Sequence, residues 1–322
     1  MVHFDVFNGD ADGIGSLIQL RLINPRQSSL ITGVKRDIAL LKHVPINAPL
    51  SVTALDISLA KNREAVDALL SAGSSIDYID HHAFGDSLPD HPSFSAQIET
   101  APTTCTGLLV NHRLNRRFEN WAIVCAFGDN LNQVATGLAQ AKGLNVLQTE
   151  NLQKLGVAMN YNAYGSTIED LHYHPADLYR KLVNYADPLD CIEDGSSVWK
   201  PLHRAYLEDM EKGLGAPVVS ESETAFAVEL PDEAWSRRVS GVLGNELANQ
   251  SPDKAVAILS HNAQSGYTIS IRAPLNNRHG ASDLAGQFPT GGGRAAAAGI
   301  NQLDSSDVEP FFKALHRHWS MV

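Results

Sequence analysis

The stretch that decides the fold lies near the start of the chain, where residues 2–23 read VHFDVFNGDADGIGSLIQLRLI. Apolar and polar side chains alternate over residues 2–7, as they do in a β-strand. The strand ends in a run that contains acidic residues and glycines, 8–16, and the apolar residues 17–23 then predict a helix. Asn24-Pro25 is expected to end that helix. The stretch therefore predicts a strand, a polar turn and a helix.

Two further segments repeat this order. Residues 51–55 predict a second strand that ends at Asp56, and a helix capped by Ser58 is expected to run to Gly73. A third short strand, 75–79, ends at a run of one aspartate and two histidines, 80–82. Strands that alternate with helices in this way are typical of a parallel, doubly wound sheet, so we expect an α/β fold.

The rest of the chain predicts a second domain. Residues 121–187 have a helical pattern, and we place a connecting helix or linker at 188–216. Beyond it, apolar runs and alternation predict strands near 225–230, 255–259 and 267–272, with a helix at 235–247. We therefore expect a catalytic domain at 1–187 and a smaller α/β domain at 217–322.

Composition excludes several classes of protein. The chain has 322 residues and a net charge of −11, with 43% hydrophobic residues and three cysteines. This is globular composition, and so few cysteines exclude a disulfide framework or a zinc ribbon. The acidic balance argues against non-specific binding of long nucleic acid. We find no signal peptide and no membrane-spanning stretch, and we expect a cytoplasmic protein with no membrane partner.

Acidic and imidazole side chains collect where the three predicted strands end. They are Asp10 and Asp12, then Asp56, then Asp80, His81 and His82. Because ligands of an open parallel sheet bind outside the carboxyl ends of its strands, these side chains are expected to form one site. Crowded carboxylates repel each other unless cations lie between them. Carboxylates with imidazole and no thiolate favour Mn²⁺ or Mg²⁺.

Five motifs occur in an order that resembles a known family. They are Asp10-x-Asp12-Gly13-x-x-Ser16, Asp56, Asp80-His81-His82, Gly128-Asp129, and the run GGGRAAAAG at 291–299. In this order they resemble the DHH phosphoesterases with their companion DHHA1 domain, and in particular the RecJ-like and oligoribonuclease-like members. The resemblance implies a DHH metal-binding catalytic domain followed by a DHHA1 substrate-binding domain.

The resemblance also implies a role for each residue of the site. Two Mn²⁺ ions, with Mg²⁺ as the alternative, would be held by Asp10, Asp12, Asp56, His81 and Asp129. Asp56 would bridge the two ions. His82 would lie beside the scissile phosphate as a general acid or a phosphate contact, and Asp80 would orient the neighbouring histidines.

The chain departs from the family pattern at two positions. Many members carry a metal-binding histidine where this chain has Asn8, although the RecJ-like branch also lacks that histidine. Asn8 is kept as a candidate ligand, but an amide oxygen would hold a metal less tightly. The glycine-rich signature often reads GGGH, and here Arg294 replaces the histidine. Arginine still offers a bidentate fork for phosphate.

The glycine-rich run is a candidate substrate-binding segment. Without Cβ atoms, the backbone N–H groups of Gly291, Gly292 and Gly293 can approach a phosphate closely. Residues 272–294 include three arginines and a single acid, so Arg272 and Arg294 are included as substrate-binding residues. The alanines at 295–298 are expected to open a helix or a tightly packed segment. A flexible loop and a solvated surface arginine remain the alternatives.

Together these features predict a hydrolase. We expect a two-metal phosphodiesterase that cleaves short oligonucleotides or dinucleotides to nucleoside monophosphates. Three alternatives stay open: a polyphosphatase or pyrophosphatase, a cyclic-dinucleotide phosphodiesterase, and a nucleotide-binding regulator with a weakened site. The sequence is also compatible with a homodimer.

Overall fold

The computed structural model describes residues 2–262 and 264–320. The chain divides into two compact units, the first ending at Arg204 and the second beginning at Ala205. The division falls within a helix, Trp199–Leu214, of the stretch predicted as a connection. The domain bounds 1–187, 188–216 and 217–322 stay a prediction.

A parallel sheet organises the first unit. Its strands have the order β2-β1-β3-β4-β5, and every neighbouring pair is parallel. The strands are β1 (His3–Phe7), β2 (Ser29–Ile31), β3 (Ser51–Leu55), β4 (Ser75–Asp80) and β5 (Phe94–Ile98). Because the strands are parallel, the residues that follow β1, β3 and β4 lie at the same edge of the sheet.

Helices complete the first unit and cover both faces of its sheet. Leu59, Val66 and Leu69 of one helix form a buried core with Val52 and Tyr78 of the strands. The opposite face meets the first helix, whose Arg21 side chain reaches strand residues there. The helices are α1 (Ala11–Ile23), α2 (Leu59–Ser71), α3 (Thr106–Arg113), α4 (Glu119–Gly128), α5 (Asn132–Lys142), α6 (Val146–Asn162), α7 (Pro175–Leu182), α8 (Pro188–Glu193) and α9 (Trp199–Leu214).

The second unit contains a mixed sheet of order β10-β11-β9-β8-β7-β6, in which only the β7–β8 pair is parallel. Ile269, Ile271, Phe311 and Leu315 share its buried core. Its strands are β6 (Val218–Glu221), β7 (Ala225–Leu230), β8 (Ala255–His261), β9 (Tyr267–Arg272), β10 (Gly291–Gly293) and β11 (Ala297–Leu303). Its further helices are α10 (Ala234–Gln250), α11 (Ala281–Ala285) and α12 (Val308–Ser320).

This architecture confirms the predicted α/β class, with a doubly wound parallel sheet and a smaller second α/β unit. One local expectation is wrong. The alanines at 295–298 do not open a helix: Ala295 and Ala296 are exposed, and Ala297 begins strand β11, in which Ala298 is buried in the core. Across the described ranges, no helix combines the length and the apolar character that crossing a membrane requires.

Glycines allow the helices of the first unit to pack at close range. A Cβ at Gly15 would lie 2.3 Å from Cys125 Sγ, and one at Gly107 would lie 2.4 Å from Cys125 Cβ. On α6, a Cβ at Gly156 would lie 2.4 Å from the Val124 carbonyl oxygen. Cys125 is fully buried at this junction, as are Cys105 and Cys191 elsewhere in the unit. These glycines therefore fix how closely α1, α3, α4 and α6 approach.

A buried ion pair joins β1 to α1. The Asp5 carboxylate accepts hydrogen bonds from Arg21 Nε at 2.9 Å and from Ser28 Oγ at 2.6 Å, and it contacts His3 Nε2 at 3.0 Å. Burial alone would raise the pKa of Asp5, but the His3 and Arg21 contacts outweigh it and lower that pKa to about 2. The carboxylate thus stays ionised in the folded protein well below its usual range.

We predict that Gly156→Ala lowers the free energy of unfolding by about 1–3 kcal/mol, because the new methyl group meets a backbone oxygen that cannot move freely. The control is Gly137→Ala on α5, where no described atom lies within 4 Å of the added Cβ. It should stabilise by up to about 1 kcal/mol through helix propensity alone. Urea denaturation measures both variants, and a stabilised Gly156→Ala would contradict the packing described.

We predict that Asp5→Asn costs about 3–5 kcal/mol at neutral pH, because it leaves the Arg21 guanidinium buried without its counter-charge. The folded-state pKa of Asp5 is lower than its unfolded value, so its stabilisation is present above about pH 4 and is lost towards about pH 2. The difference between wild type and variant should therefore shrink by about 2 kcal/mol on acidification. A pH-independent difference would show that the Asp5 charge does not stabilise the fold.

Candidate active site and metal centre

The carboxyl edge of the first sheet gathers the side chains predicted from the sequence. Asp10 follows β1 and is the N-cap of α1, where its Oδ1 accepts hydrogen bonds from the backbone N–H groups of Asp12 and Gly13 at 3.0 and 3.1 Å. Asp56 follows β3 and is almost fully buried. Its φ of 58° is a left-handed conformation that aspartate tolerates better than most residues.

Asp12 is held by the start of α3. Its two carboxylate oxygens accept hydrogen bonds from the backbone N–H groups of Thr106 and Gly107, each at 2.7 Å. The Thr106 hydroxyl donates to Asp56 Oδ1 at 3.1 Å. The sequence analysis did not identify Thr106 and Gly107, because a backbone donor at a helix start leaves little trace in residue types.

His81 lies at the centre of the acidic side chains. Its Nε2 is 3.4 Å from Asp56 Oδ1 and 3.9 Å from a carboxylate oxygen of both Asp12 and Asp129. Asp129 reaches this point from the C-terminal end of α4. The structure thus brings together four of the five predicted metal ligands around one imidazole nitrogen.

His82 and Asp80 form a pair beside this cluster. His82 Nδ1 lies 2.8 Å from Asp80 Oδ1, and the His82 side chain is 41% exposed, whereas Asp80 is buried. Burial alone would lower the pKa of His82, but the hydrogen bond and charge of Asp80 outweigh it and raise that pKa. With Nδ1 facing Asp80, the other ring nitrogen is the one left for a substrate.

Burial and, after it, charge repulsion raise the pKa values of two carboxyl groups in the cluster. Burial raises the pKa of Asp56 well above its usual range, and the neighbouring carboxylates of Asp12 and Asp10 raise it further. Burial likewise raises the pKa of Asp12, with the charges of Asp129 and Asp10 adding to it against the opposing effect of His81. A divalent cation among these groups would remove the repulsion.

Lys35 is a residue of the site that the sequence analysis missed. Its Nζ lies 2.5 Å from Asp10 Oδ2 and 2.8 Å from Asn160 Oδ1, and 5.7 Å from the centre of the Tyr164 ring. Burial alone would raise the pKa of Asp10, but the Lys35 ammonium lowers it to about 2. A correct prediction of the short strand β2 would have placed Lys35 just beyond a fourth strand end.

The donor set fits a divalent ion. Ligand atoms of Asp56, His81 and His82 lie within 4.8 Å of one another, and Asp12 and Asp129 also face His81. Three carboxylates and an imidazole are the ligand types that Mn²⁺ or Mg²⁺ accepts. Asp10 and Asn8 differ from this set because both contact Lys35. Asp10 Oδ2 accepts from the Lys35 ammonium, and Asn8 Nδ2 donates to the Lys35 carbonyl oxygen.

The predicted substrate-binding residues lie in the second unit. Arg272 on β9 pairs in register with Ala297 of β11, which itself pairs with the glycine strand β10. The Arg272 guanidinium donates to Asn245 Oδ1 at 2.6 Å and to the Gly241 carbonyl oxygen at 3.0 Å, both on α10. Its side chain is therefore tied to its own unit, whereas the Arg294 side chain is exposed.

The three glycines of β10 have different reasons to be glycine. A Cβ at Gly291 would lie 1.7 Å from the Ala285 carbonyl oxygen, and Gly293 has a φ of 146° with Ala298 at 2.5 Å. Gly292 is exposed, and no described atom lies within 4 Å of an added Cβ. Packing explains Gly291 and Gly293, while the open space at Gly292 leaves room for a ligand.

No protein-family model matches the sequence, and no curated protein matches it. Solved structures do match the fold. RecJ from Thermus thermophilus, in complex with Mn²⁺, has a TM-score of 0.67 at 16% identity, over 99% of this chain and 52% of that one. This chain thus spans about half the length of that RecJ.

Two further solved structures match nearly the whole chain and most of their own length. An exonuclease RecJ bound to manganese has a TM-score of 0.58 at 16% identity, covering 99% of this chain and 90% of that one. The pGpG-specific phosphodiesterase PggH from Vibrio cholerae has a TM-score of 0.55 at 14% identity, covering 98% and 97%. The chain therefore has the fold of RecJ and PggH, and its predicted resemblance to the DHH/DHHA1 phosphoesterases is confirmed at the level of the fold.

Proposed function

We propose that this protein is a divalent-metal-dependent phosphodiesterase that hydrolyses dinucleotides or other short oligonucleotides to nucleoside monophosphates. The observation that carries the proposal is the position of His81 Nε2, within 3.9 Å of carboxylate oxygens of Asp12, Asp56 and Asp129. His82, the expected phosphate contact, lies directly beside this cluster. Such a set of side chains fits metal-assisted hydrolysis better than nucleotide binding without catalysis.

The matched structures support the same chemistry. Two are RecJ proteins that bind manganese, and one is a phosphodiesterase for the linear dinucleotide pGpG. The net charge of −11 also argues for a short substrate, because a long polyanion would meet a repulsive surface. We therefore favour a linear dinucleotide over longer RNA or DNA.

The residues of the chain would divide the reaction between them. A divalent ion held by Asp12, Asp56, His81 and Asp129 would supply Lewis-acid stabilisation of the charge that develops on the phosphate. His82 would give a proton to the leaving oxygen as the P–O bond breaks and a water oxygen bonds to phosphorus. The proton that this water loses would restore His82. Asp80 would hold His82 Nδ1, fix the orientation of the ring and favour its protonated form.

The second unit would contribute substrate contacts. The exposed Arg294 side chain offers a donor fork for a phosphate group, and the open space at Gly292 lets a phosphate approach the backbone. Residues 272–294 hold three arginines and a single acid, so this part of an acidic protein is positive. A phosphate-bearing substrate is therefore the ligand that we assign to it.

A substrate panel tests the proposal against its alternatives. The purified protein with Mn²⁺ is incubated with linear pGpG, a cyclic dinucleotide, a longer oligoribonucleotide, pyrophosphate and polyphosphate, and products are separated by chromatography. We expect the fastest hydrolysis with the linear dinucleotide. Preferential release of phosphate from polyphosphate or pyrophosphate would favour a phosphoanhydride hydrolase. Tight nucleotide binding without turnover would favour a regulator and contradict an enzyme.

We predict that hydrolysis stops in excess chelator and returns with added Mn²⁺, and that Asp56→Asn abolishes it under both conditions. Asparagine keeps the shape and tolerates the positive φ of Asp56, but it lacks the charge that a cation needs. The matched control is Asp67→Asn, which removes a carboxylate from the exposed surface of α2. Full turnover in chelator, or by Asp56→Asn with its fold intact, would contradict a metal centre at these residues.

We predict that Arg294→Ala and His82→Gln fail in different kinetic parameters. Loss of one charge-assisted hydrogen bond to phosphate should raise KM by roughly 10- to 150-fold with little change in kcat. Loss of the proton donor should lower kcat by about 100- to 10,000-fold. Gly292→Val should raise KM without lowering the melting temperature. If neither Arg294→Ala nor Gly292→Val changed KM, the glycine strand would not bind substrate.

A further inference from the structure

The carboxylate of Asp10 has both of its oxygens engaged by the protein itself. Oδ1 accepts the backbone N–H groups of Asp12 and Gly13 at the start of α1, at 3.0 and 3.1 Å. Oδ2 lies 2.5 Å from the Lys35 ammonium. Asp10 is thus a helix cap on one side and half of a buried ion pair on the other, although the sequence predicted it as a metal ligand.

Asn8, the other residue at this end of the site, is also engaged. Its Oδ1 accepts the backbone N–H of Asp10 at 3.3 Å, and its Nδ2 donates to the backbone carbonyl of Lys35 at 3.3 Å. The side chain that replaces a family histidine therefore holds the Lys35 segment in place. Asn8 and Lys35 therefore act together at this edge.

Lys35 is fixed from the other side as well. Its Nζ donates to Asn160 Oδ1 at 2.8 Å, its backbone N–H donates to the Ala163 carbonyl at 2.9 Å, and the Tyr164 ring lies below the ammonium. Only 24% of the side chain is exposed. An ammonium held by a carboxylate, an amide and an aromatic ring is part of the site rather than a mobile surface charge.

The remaining predicted ligands lie beside Asp10 but face His81 instead of Lys35. Asp12, Asp56 and Asp129 are gathered around His81 Nε2. Asp12 also accepts two backbone N–H groups, and Asp56 accepts the Thr106 hydroxyl. No lysine or arginine of the described chain forms an ion pair with them at 4.0 Å or less. This group keeps its need for a cation, whereas Asp10 already has one.

We propose that the centre takes a single divalent ion, at Asp12, Asp56, His81 and Asp129, and that the Lys35 ammonium replaces the second cation of a two-metal site. The inference rests on the proposed function and sets the number of ions at one, where the family resemblance implies two. Lysine is a compact, strongly hydrated point charge with three donors. Asp10 and Asn160 take two of them, and the third is directed to a phosphate oxygen of the substrate.

The test counts bound metal rather than turnover. Wild-type protein, dialysed to equilibrium against Mn²⁺ and analysed by inductively coupled plasma mass spectrometry, should hold about one ion per chain, and Lys35→Met about two, because Asp10 then loses its cation. Lys35→Arg keeps the charge and should stay at about one. The control Lys254→Met removes a lysine paired with Glu221 in the second unit and should also stay at about one.

Electron paramagnetic resonance gives a second readout. The wild type should show the spectrum of isolated Mn²⁺, and Lys35→Met should show the exchange-coupled spectrum of two ions about 3.5–4 Å apart. Circular dichroism and melting curves confirm that each variant is folded. If Lys35→Met does not fold, the double variant Asn8→His, Lys35→Met restores the family histidine and is measured in its place.

Each outcome decides the matter. A coupled pair of ions in the wild type would overturn the inference and leave the proposed function standing, provided that hydrolysis is seen. A single ion in both wild type and folded Lys35→Met would show that Lys35 does not exclude the second ion. No bound ion and no hydrolysis would overturn both the inference and the proposed function.

Discussion

The structure depends on a concentration of negative charge that the fold itself creates. A parallel sheet brings the carboxyl ends of all its strands to one edge, and three of those ends carry aspartates that are almost fully buried, Asp10, Asp56 and Asp80. Ionised carboxylates in a low-dielectric interior are costly unless positive groups lie nearby. The polar and positively charged groups around this edge offset the free-energy cost of burying these carboxylates.

Backbone and side-chain groups both stabilise these carboxylates. The start of α3 supplies two backbone N–H groups to Asp12, the start of α1 supplies two to Asp10, and Lys35 supplies a full charge. Asp80 has His82. The helices can supply these donors only because they approach one another closely, which Gly15, Gly107 and Gly156 permit. The packing of these helices therefore decides how the aspartates are neutralised.

The sequence predicts the side chains that directly follow a clear strand pattern. It does not predict the backbone donors at the start of α3, or Lys35. Asp12, Asp56 and His81 do lie close together, as strands that end in polar residues predict. Lys35 was missed because β2 has only three residues and no alternation. The strand 291–293 pairs with β11, which begins within the four alanines that favour a helix in the sequence. Long-range pairing of short strands leaves no local signal.

The buried cysteines have a practical consequence. Burial raises the pKa of Cys105 and Cys125 well above the usual range and that of Cys191 to about 11, so none of the three native thiols supplies an accessible thiolate. A cysteine introduced on the surface would therefore be the one that maleimide reagents modify. Spin labels or fluorophores could be attached to chosen positions in each unit without first removing the native cysteines. Distances between the two units during turnover are thus directly measurable in the otherwise native chain.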